Sequence, residues 1–191
     1  MDFEHITGII LAGGRSSRFG EDKALYHYKG KPMVEYAIDA LLPICEQLLL
    51  VTNRPDDYYR LTGVTFVRDV FPGCGPLGGI HAGLLASENS DNLIAGCDMP
   101  GLKADLFRTL LLCKSDDQVV LPSHFGFKES LACYYHKSAL PIIEEALKQN
   151  RLKIFDAIMP LRIQYLSVER MTFYSESLFA NVNTREDIKH I

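Results

Sequence analysis

Residues 11–23 read L-A-G-G-R-S-S-R-F-G-E-D-K, a run whose residue types suit a polyphosphate. Gly13 and Gly14 allow positive φ and a close approach of backbone to ligand. The amides of such a turn can form an anion-binding nest. Arg15, Arg18 and Lys23 add three positive charges within nine residues. A nucleoside triphosphate, with about four negative charges, is matched by such a supply of charge-assisted donors. The spacing is not that of a P-loop, which needs G-x4-G-K-[ST]. Here Gly20 is followed by Glu21 and Asp22 before Lys23. A P-loop ATPase is therefore disfavoured. The plain alternative, a solvated basic turn, would suit a glycine pair alone better than it suits the whole run.

A second glycine cluster, Gly73–Gly78, spells G-C-G-P-L-G, and Asp98 follows Gly78 by twenty residues. Taken mechanically this is a dinucleotide fingerprint. Two features count against it. Residues 69–72 separate the cluster from the preceding strand, whereas a Rossmann turn follows its strand directly. Pro76 also removes an amide where a pyrophosphate would want one. The better reading of P-L-G-G-I (residues 76–80) is a loop and helix start at which Gly78 and Gly79 let the backbone approach a base or ribose. Asp98 lies just past an apolar run, where open α/β sheets place their ligands. A carboxylate there, near a triphosphate, suits Mg²⁺. A helix cap or Asx turn is its bland alternative. Asp69, after another strand end, is a weaker candidate for a metal or ribose contact.

These loops need a scaffold. Ile6–Leu11 reads as a buried strand, with further strands expected over residues 47–52, 64–68, 92–97, 118–121, 130–135 and 163–168. The last but one could belong to a hairpin. Helical patterns lie over 33–42, 77–86, 103–113, 139–149 and 184–190, the last opened by a Thr184 cap. Alternation of strand and helix predicts an α/β fold: three layers, doubly wound, with a mostly parallel sheet covered on both faces and a Rossmann-like N-terminal nucleotide half. At 191 residues the chain suits one domain, 1–191. No linker separates a nucleotide-binding half, 1–101, from an acceptor-binding half, 102–191.

Composition narrows the class. The chain is 47% hydrophobic with a formal net charge of −4, which suits neither disorder nor nonspecific nucleic-acid binding. No apolar run reaches the roughly 18 residues of a membrane span. The basic n-region of a signal peptide is missing, so a cytoplasmic protein is expected. The five cysteines form no CxxC pair, which argues for buried thiols rather than disulfides or structural zinc.

Four motifs together resemble the molybdenum cofactor guanylyltransferases, the MobA family of nucleotidyltransferases. They are residues 11–23, P-L-G-G-I (76–80), C-D-M-P (97–100) and N-V-N-T (181–184), in family order over nearly the whole chain. The resemblance implies a nucleotide-diphospho-sugar transferase-like fold. It implies transfer of GMP from Mg·GTP to molybdopterin or its molybdenum form, with release of pyrophosphate. By the same resemblance Leu11, Ala12 and Gly13 hold guanine and phosphate through the backbone, and Lys23 holds the phosphates. Asp69 contacts the nucleotide, Asp98 binds Mg²⁺, and Asn181 and Asn183 lie near the pterin. Gly78 belongs to the nucleotide wall. Lys23, with Arg15 or Arg18, would offset charge on the departing pyrophosphate.

The labile product would pass to a molybdoenzyme or another cofactor-biosynthesis protein; neither nucleic acid nor a membrane is an expected partner. Val51 stands where some members carry a nucleotide-contacting Asn, leaving Asn53 unassigned. Residues 128–131 lack the Pro common before that Leu, and Arg185 replaces the Pro usual after N-x-N-T. Lys128, Arg151 and Lys153 could pair with the acceptor phosphate, and Tyr134 and Tyr135 could flank a ring. The alternatives are a relative using CTP or a different phosphorylated acceptor, and a non-catalytic module that binds nucleotide and delivers the cofactor.

Overall fold

The computed structural model describes residues 4–12, 23–58, 60–184 and 186–187. Strand β1 (Ile6–Leu11) is buried at every position, as a strand covered on both faces must be. A short antiparallel pair, β2 (His27–Tyr28) and β3 (Lys31–Pro32), leads into α1 (Met33–Leu41). Then come β4 (Gln47–Val51), β5 (Thr65–Val67), α2 (Gly75–Ala86), β6 (Asp91–Gly96) and α3 (Ala104–Cys113). The remainder is β7 (Val119–His124), β8 (Phe127–Lys128), β9 (Ala132–His136), α4 (Leu140–Lys148), α5 (Ile154–Ile158) and β10 (Ile163–Ser167).

The main sheet runs β10-β7-β9-β6-β1-β4-β5, with β8 paired to β7. Strands β5, β4, β1 and β6 are parallel neighbours. β9 lies antiparallel between β6 and β7, and β10 is parallel to β7. Alternation of side chains along each strand splits the core in two. Ile10, Leu50, Leu93, Ala95, Val120 and Tyr134 face a layer containing α1 and α3. Ile9, Leu11, Leu49, Val51, Ile94 and Tyr135 face α2 and α4. This is the expected doubly wound, mostly parallel α/β fold. Chain order reverses at β1, whose neighbours are β4 on one side and β6 on the other. Ligands of open α/β sheets bind at the carboxyl end of such a switch point.

The differences from the sequence reading are local. α2 starts at Gly75 rather than 77, because Pro76 fits a first helical turn, where its missing amide has no intrahelical partner anyway. The strand at 132–136 is an internal member of the main sheet rather than a hairpin at its side. Helix α5 has only five residues, too few to show a periodicity. Of the expected last helix, 188–190 and Arg185 lie outside the described residues. The Thr184 cap is present as a reciprocal pair: Thr184 Oγ1 accepts from the Asp187 amide at 3.3 Å, and Asp187 Oδ2 accepts from the Thr184 amide at 2.8 Å. No helix among the described residues is long and apolar enough to cross a membrane.

The chain after β10 returns across the α1/α3 layer. Val168, Leu178, Phe179 and Val182 are buried. This return passes Gly101 so closely that a Cβ there would stand 2.0 Å from the Ser177 carbonyl oxygen. Gly101→Ala is therefore expected to cost about 1–3 kcal/mol through overpacking. Calorimetry should show a melting point several degrees lower; an unchanged value would mean that the tail does not press on Gly101 in solution.

Candidate active site

The carboxyl ends of β5, β4, β1 and β6 form a row. The strand ladder continues one rung past each end. The Ala12 amide donates to Val51 O (3.0 Å), Thr52 to Val67 O (2.9 Å) and Cys97 to Leu11 O (3.3 Å). Tyr58, fully buried, adds its hydroxyl to the Ala12 carbonyl at 3.4 Å. The Ala12 amide is thus taken by the sheet. What Leu11 and Ala12 offer a ligand is carbonyl lone pairs and a stiff surface, rather than the free amides that backbone binding at this turn would use. Gly13 and Arg15 lie outside the described residues.

Lys23 begins a short 3-10 turn (Lys23–Leu25). Its Nζ donates to Asp98 Oδ2 at 3.1 Å and to Asn183 Oδ1 at 2.9 Å. Lys23 and Asp98 side chains are only 15% and 22% exposed, so this pair is less screened than a surface ion pair. Asp98 sits just after β6. Its carbonyl accepts from the Val182 amide at 2.8 Å. Its Oδ1 is buried and accepts no hydrogen bond from the described residues. The Asp98 side chain does not cap α3, whose N-cap is Lys103. Asn183 is held in turn by Asp187, whose Oδ2 accepts from the Asn183 amide at 2.7 Å. Asn181 is exposed, and its Nδ2 reaches Phe179 O at 3.5 Å.

The second group of residues stands at the other end of the row. The Asp69 amide donates to Asn53 Oδ1 at 3.2 Å, and Asp69 Oδ1 accepts from the Phe71 amide at 2.9 Å. A Cβ on Gly78 would lie 3.0 Å from both Asp69 oxygens, so a side chain there would have to push the carboxylate back by a few tenths of an ångström. Burial raises the Asp69 pKa, opposed by the Phe71 hydrogen bond. His81, one turn along α2, is buried with neither ring nitrogen hydrogen-bonded, and burial pushes its pKa down. No salt bridge reaches Asp69 among the described residues, and His81 is the nearby titratable group that acts on it. Between Asp69 and Asp98 lie the ends of β4 and β1, a separation of about 14 Å at ordinary strand spacing.

At this end of the row, Asp98 carries a buried oxygen that no described residue satisfies. No group of three or more His, Cys, Asp or Glu side chains able to hold a metal occurs among the described residues. A hard cation that takes one carboxylate and fills its shell with phosphate oxygens and water fits Asp98; one needing an all-protein cage does not. Tyr134 and Tyr135 are core residues, 1% and 0% exposed, and Tyr134 bonds Asp91 at the amino end of β6, away from this row. Arg151 bonds Gln149 and the Asp156 carbonyl.

Residues 8–162 match the MobA-like NTP transferase domain. The chain belongs to the MobA-like NTP transferase family. Molybdenum cofactor guanylyltransferase from Desulfosudis oleivorans is 35% identical over 96% of this chain and 93% of its own. The protein of that name from Vibrio vulnificus is 34% identical over 94% and 91%. Among solved structures, molybdopterin-guanine dinucleotide biosynthesis protein A from Archaeoglobus fulgidus superposes with a TM-score of 0.81 at 27% identity, covering 97% of this chain and 95% of that one.

Within this MobA-like framework, sequence reasoning singled out Asp98, Asp69, Gly78, Lys23 and Asn183. It did not identify Asp187 or Tyr58, which act through other residues and carry no spacing signal. It left Asn53 unassigned, and Asn53 proves to hold the Asp69 amide.

Asp69 yields a stability test. An acid whose folded pKa is raised contributes stability that is fully present below its unfolded value and lost as pH rises through the folded one. Asp69→Asn keeps the acceptor for Phe71 and removes the buried charge. The variant is expected to melt above wild type at pH 7, with the gain vanishing below the ordinary aspartate value of 3.8. A variant less stable than wild type at pH 7 would show that ionised Asp69 is stabilised by something other than Phe71.

Proposed function

We infer that the chain is a molybdenum cofactor guanylyltransferase, moving GMP from GTP to molybdopterin and releasing pyrophosphate. The observation that carries this reading is the meeting of three motifs at one ammonium. Lys23, from the glycine-rich run, reaches Asp98 of C-D-M-P and Asn183 of N-V-N-T, which is 160 residues away. Similarity to guanylyltransferases along almost the whole chain supports the choice of nucleotide and acceptor. The reading includes a single nucleotidyltransferase domain working in the cytoplasm, with residues 1–101 serving the nucleotide and 102–191 the acceptor.

In this mechanism the nucleotide lies along the row of strand ends. Leu11, Ala12, Gly13, Gly78 and Asp69 border its base and ribose, and its phosphates reach Lys23. An oxygen of the acceptor phosphate attacks the α-phosphorus in line. That P–O bond forms as the bond to the β-phosphate oxygen breaks, and pyrophosphate departs. The acceptor is already an anion at neutral pH, so no protein nucleophile or base is needed. Catalysis is positioning plus charge neutralisation. Lys23 and Arg15 offset charge on the leaving group, and Asn181 and Asn183 orient the acceptor. Asp98 would hold Mg²⁺ through Oδ1; when bound, the cation neutralises phosphate charge. A molybdoenzyme or another cofactor-biosynthesis protein would take the product.

Pyrophosphate release should be measured from GTP, CTP and ATP, each with and without molybdopterin. Release is expected from GTP alone among the three, and only with the acceptor. Asp98→Asn should slow it by about 10²-fold or more, the scale of losing one electrostatic element of a transition-state site. GTP binding without acceptor-dependent release would instead mark a delivery module. A near-normal rate for Asp98→Asn would remove the metal assignment.

A further inference from the structure

A second convergence of side chains lies at the carboxyl ends of β7 and β10, on the acceptor half. His124 closes β7. Its Nε2 is 3.2 Å from Glu129 Oε1, and its Nδ1 is 3.2 Å from the Tyr174 hydroxyl. With a neutral ring both contacts are satisfied when Tyr174 donates to Nδ1 and Nε2–H donates to Glu129; a protonated ring donates at both. The relay holds Glu129 by one oxygen and leaves Oε2 without a hydrogen bond among the described residues. Glu169 follows β10, where the Val168 amide donates to Ser123 O beside His124. Its Oε2 is buried without a partner among the described residues, while the carboxylate is held by its own amide and the Ser167 side chain.

Aromatic faces surround this group. Phe179 packs on the His124 ring at 4.9 Å between centroids and 31° between planes. Phe125 and Phe127 stand 6.4 and 6.0 Å from the same ring, 70% and 69% exposed at the hairpin tip. Phe125 has φ +46°, followed by Gly126 at +86°. The first position of such a turn favours Asn, Asp or Gly. A bulky Phe held there is strained, and strained residues kept in place cluster at ligand sites. Of the local cations, Lys128 lies over the Tyr165 ring at 4.2 Å and Arg170 acts on Glu169.

Open carboxylate acceptors beside exposed aromatic faces suit a planar heterocycle with N–H donors, not an anion. The path to the transferase site is short. Phe179 packs on His124 and Asn183 bonds Lys23, four residues apart and so at most about 14 Å of chain. One end of this path is cationic and the other carboxylate-rich. An acceptor with a phosphate at one end and a 2-amino-4-oxopyrimidine ring at the other is oriented by that polarity.

We propose that Glu129, with the ring faces of His124 and Phe125, forms the subsite for the pterin ring of the acceptor, its amino group and ring N–H donating to Glu129. Tyr174 is a positioning residue acting through His124. This rests on the guanylyltransferase reading and names where that acceptor's ring binds.

Glu129→Gln and Tyr174→Phe in the full chain test it. For each, KM for molybdopterin and KM for GTP should be measured separately, with melting curves and a fluorescence titration with 6-hydroxymethylpterin alone. Glu129→Gln is expected to raise the molybdopterin KM and weaken the pterin titration by about tenfold or more, the worth of one charge-assisted hydrogen bond. The GTP KM should stay within about twofold. Tyr174→Phe should shift the same two readouts less, and Glu129→Asp should recover part of the loss. Unchanged molybdopterin KM, or equal rises in both KM values with a lower melting point, would reduce the cluster to a strut between hairpin and tail. If wild type binds the pterin but turns over no molybdopterin, the functional reading fails and the subsite stands; if it turns over molybdopterin and Glu129→Gln leaves the pterin titration unchanged, the subsite fails alone.

Discussion

The ammonium of Lys23 ties together three stretches of chain, two of which, the end of β6 and the tail, also meet through the Val182 amide and the Asp98 carbonyl. Asp98 is placed by the end of β6, Asn183 by the returning tail, and Lys23 by the turn after the first loop. Holding a lysine and an aspartate largely out of water is costly unless each is well paired. Here Asp98 Oδ2 and the Asn183 amide oxygen share that cation. Asp98 is left with a second oxygen that nothing in the described chain satisfies. A fold optimised only for stability would have filled that position. The arrangement is what a site for a charged ligand requires: pre-positioned groups whose pairing is incomplete.

The sheet explains why these groups stand at one edge. β1 is the point where chain order reverses, and the strand ends on its two sides carry Asp69 and Asp98. Gly78 lets α2 close on Asp69, and Gly101 lets the tail pass the turn that follows Asp98. Each close approach removes freedom from a segment that carries a polar group. The tail then extends from Phe179 on His124 to Asn183 on Lys23, joining the two side-chain clusters. Packing and chemistry are therefore not separate: the residues that bury the tail also set where Asn183 points.

Much of this was legible in the sequence, for physical reasons. Ile6–Leu11 is apolar throughout because β1 is buried on both faces, and that pattern identifies a central parallel strand. Asp98 was legible because a carboxylate directly after a buried strand is costly without a partner. The position of β9 was not legible, since a strand buried on both faces reads the same in either direction and beside either neighbour. Helix α5 was too short to show a period. Glu129 lies in the acceptor segment, residues 128–131, that the family resemblance marked, but His124 and Tyr174 carried no signal because their convergence depends on a hairpin and a tail separated by about 50 residues. The resemblance implied nucleotide contacts through the backbone of Leu11 and Ala12 without saying which groups; the strand ladder runs one rung beyond β1 and takes the Ala12 amide.

The relation between Lys23, Asp98 and the nucleotide is tested most directly by a crystal structure of the chain with α,β-methylene GTP and Mg²⁺. The expected result is a cation on Asp98 Oδ1 at about 2.1 Å, with the phosphates within hydrogen-bonding distance of Lys23 Nζ and the base against Leu11 and Gly78. An analogue bound with its phosphates on the 73–78 loop, and with the Lys23–Asp98 pair unaltered and no cation on Asp98, would contradict it.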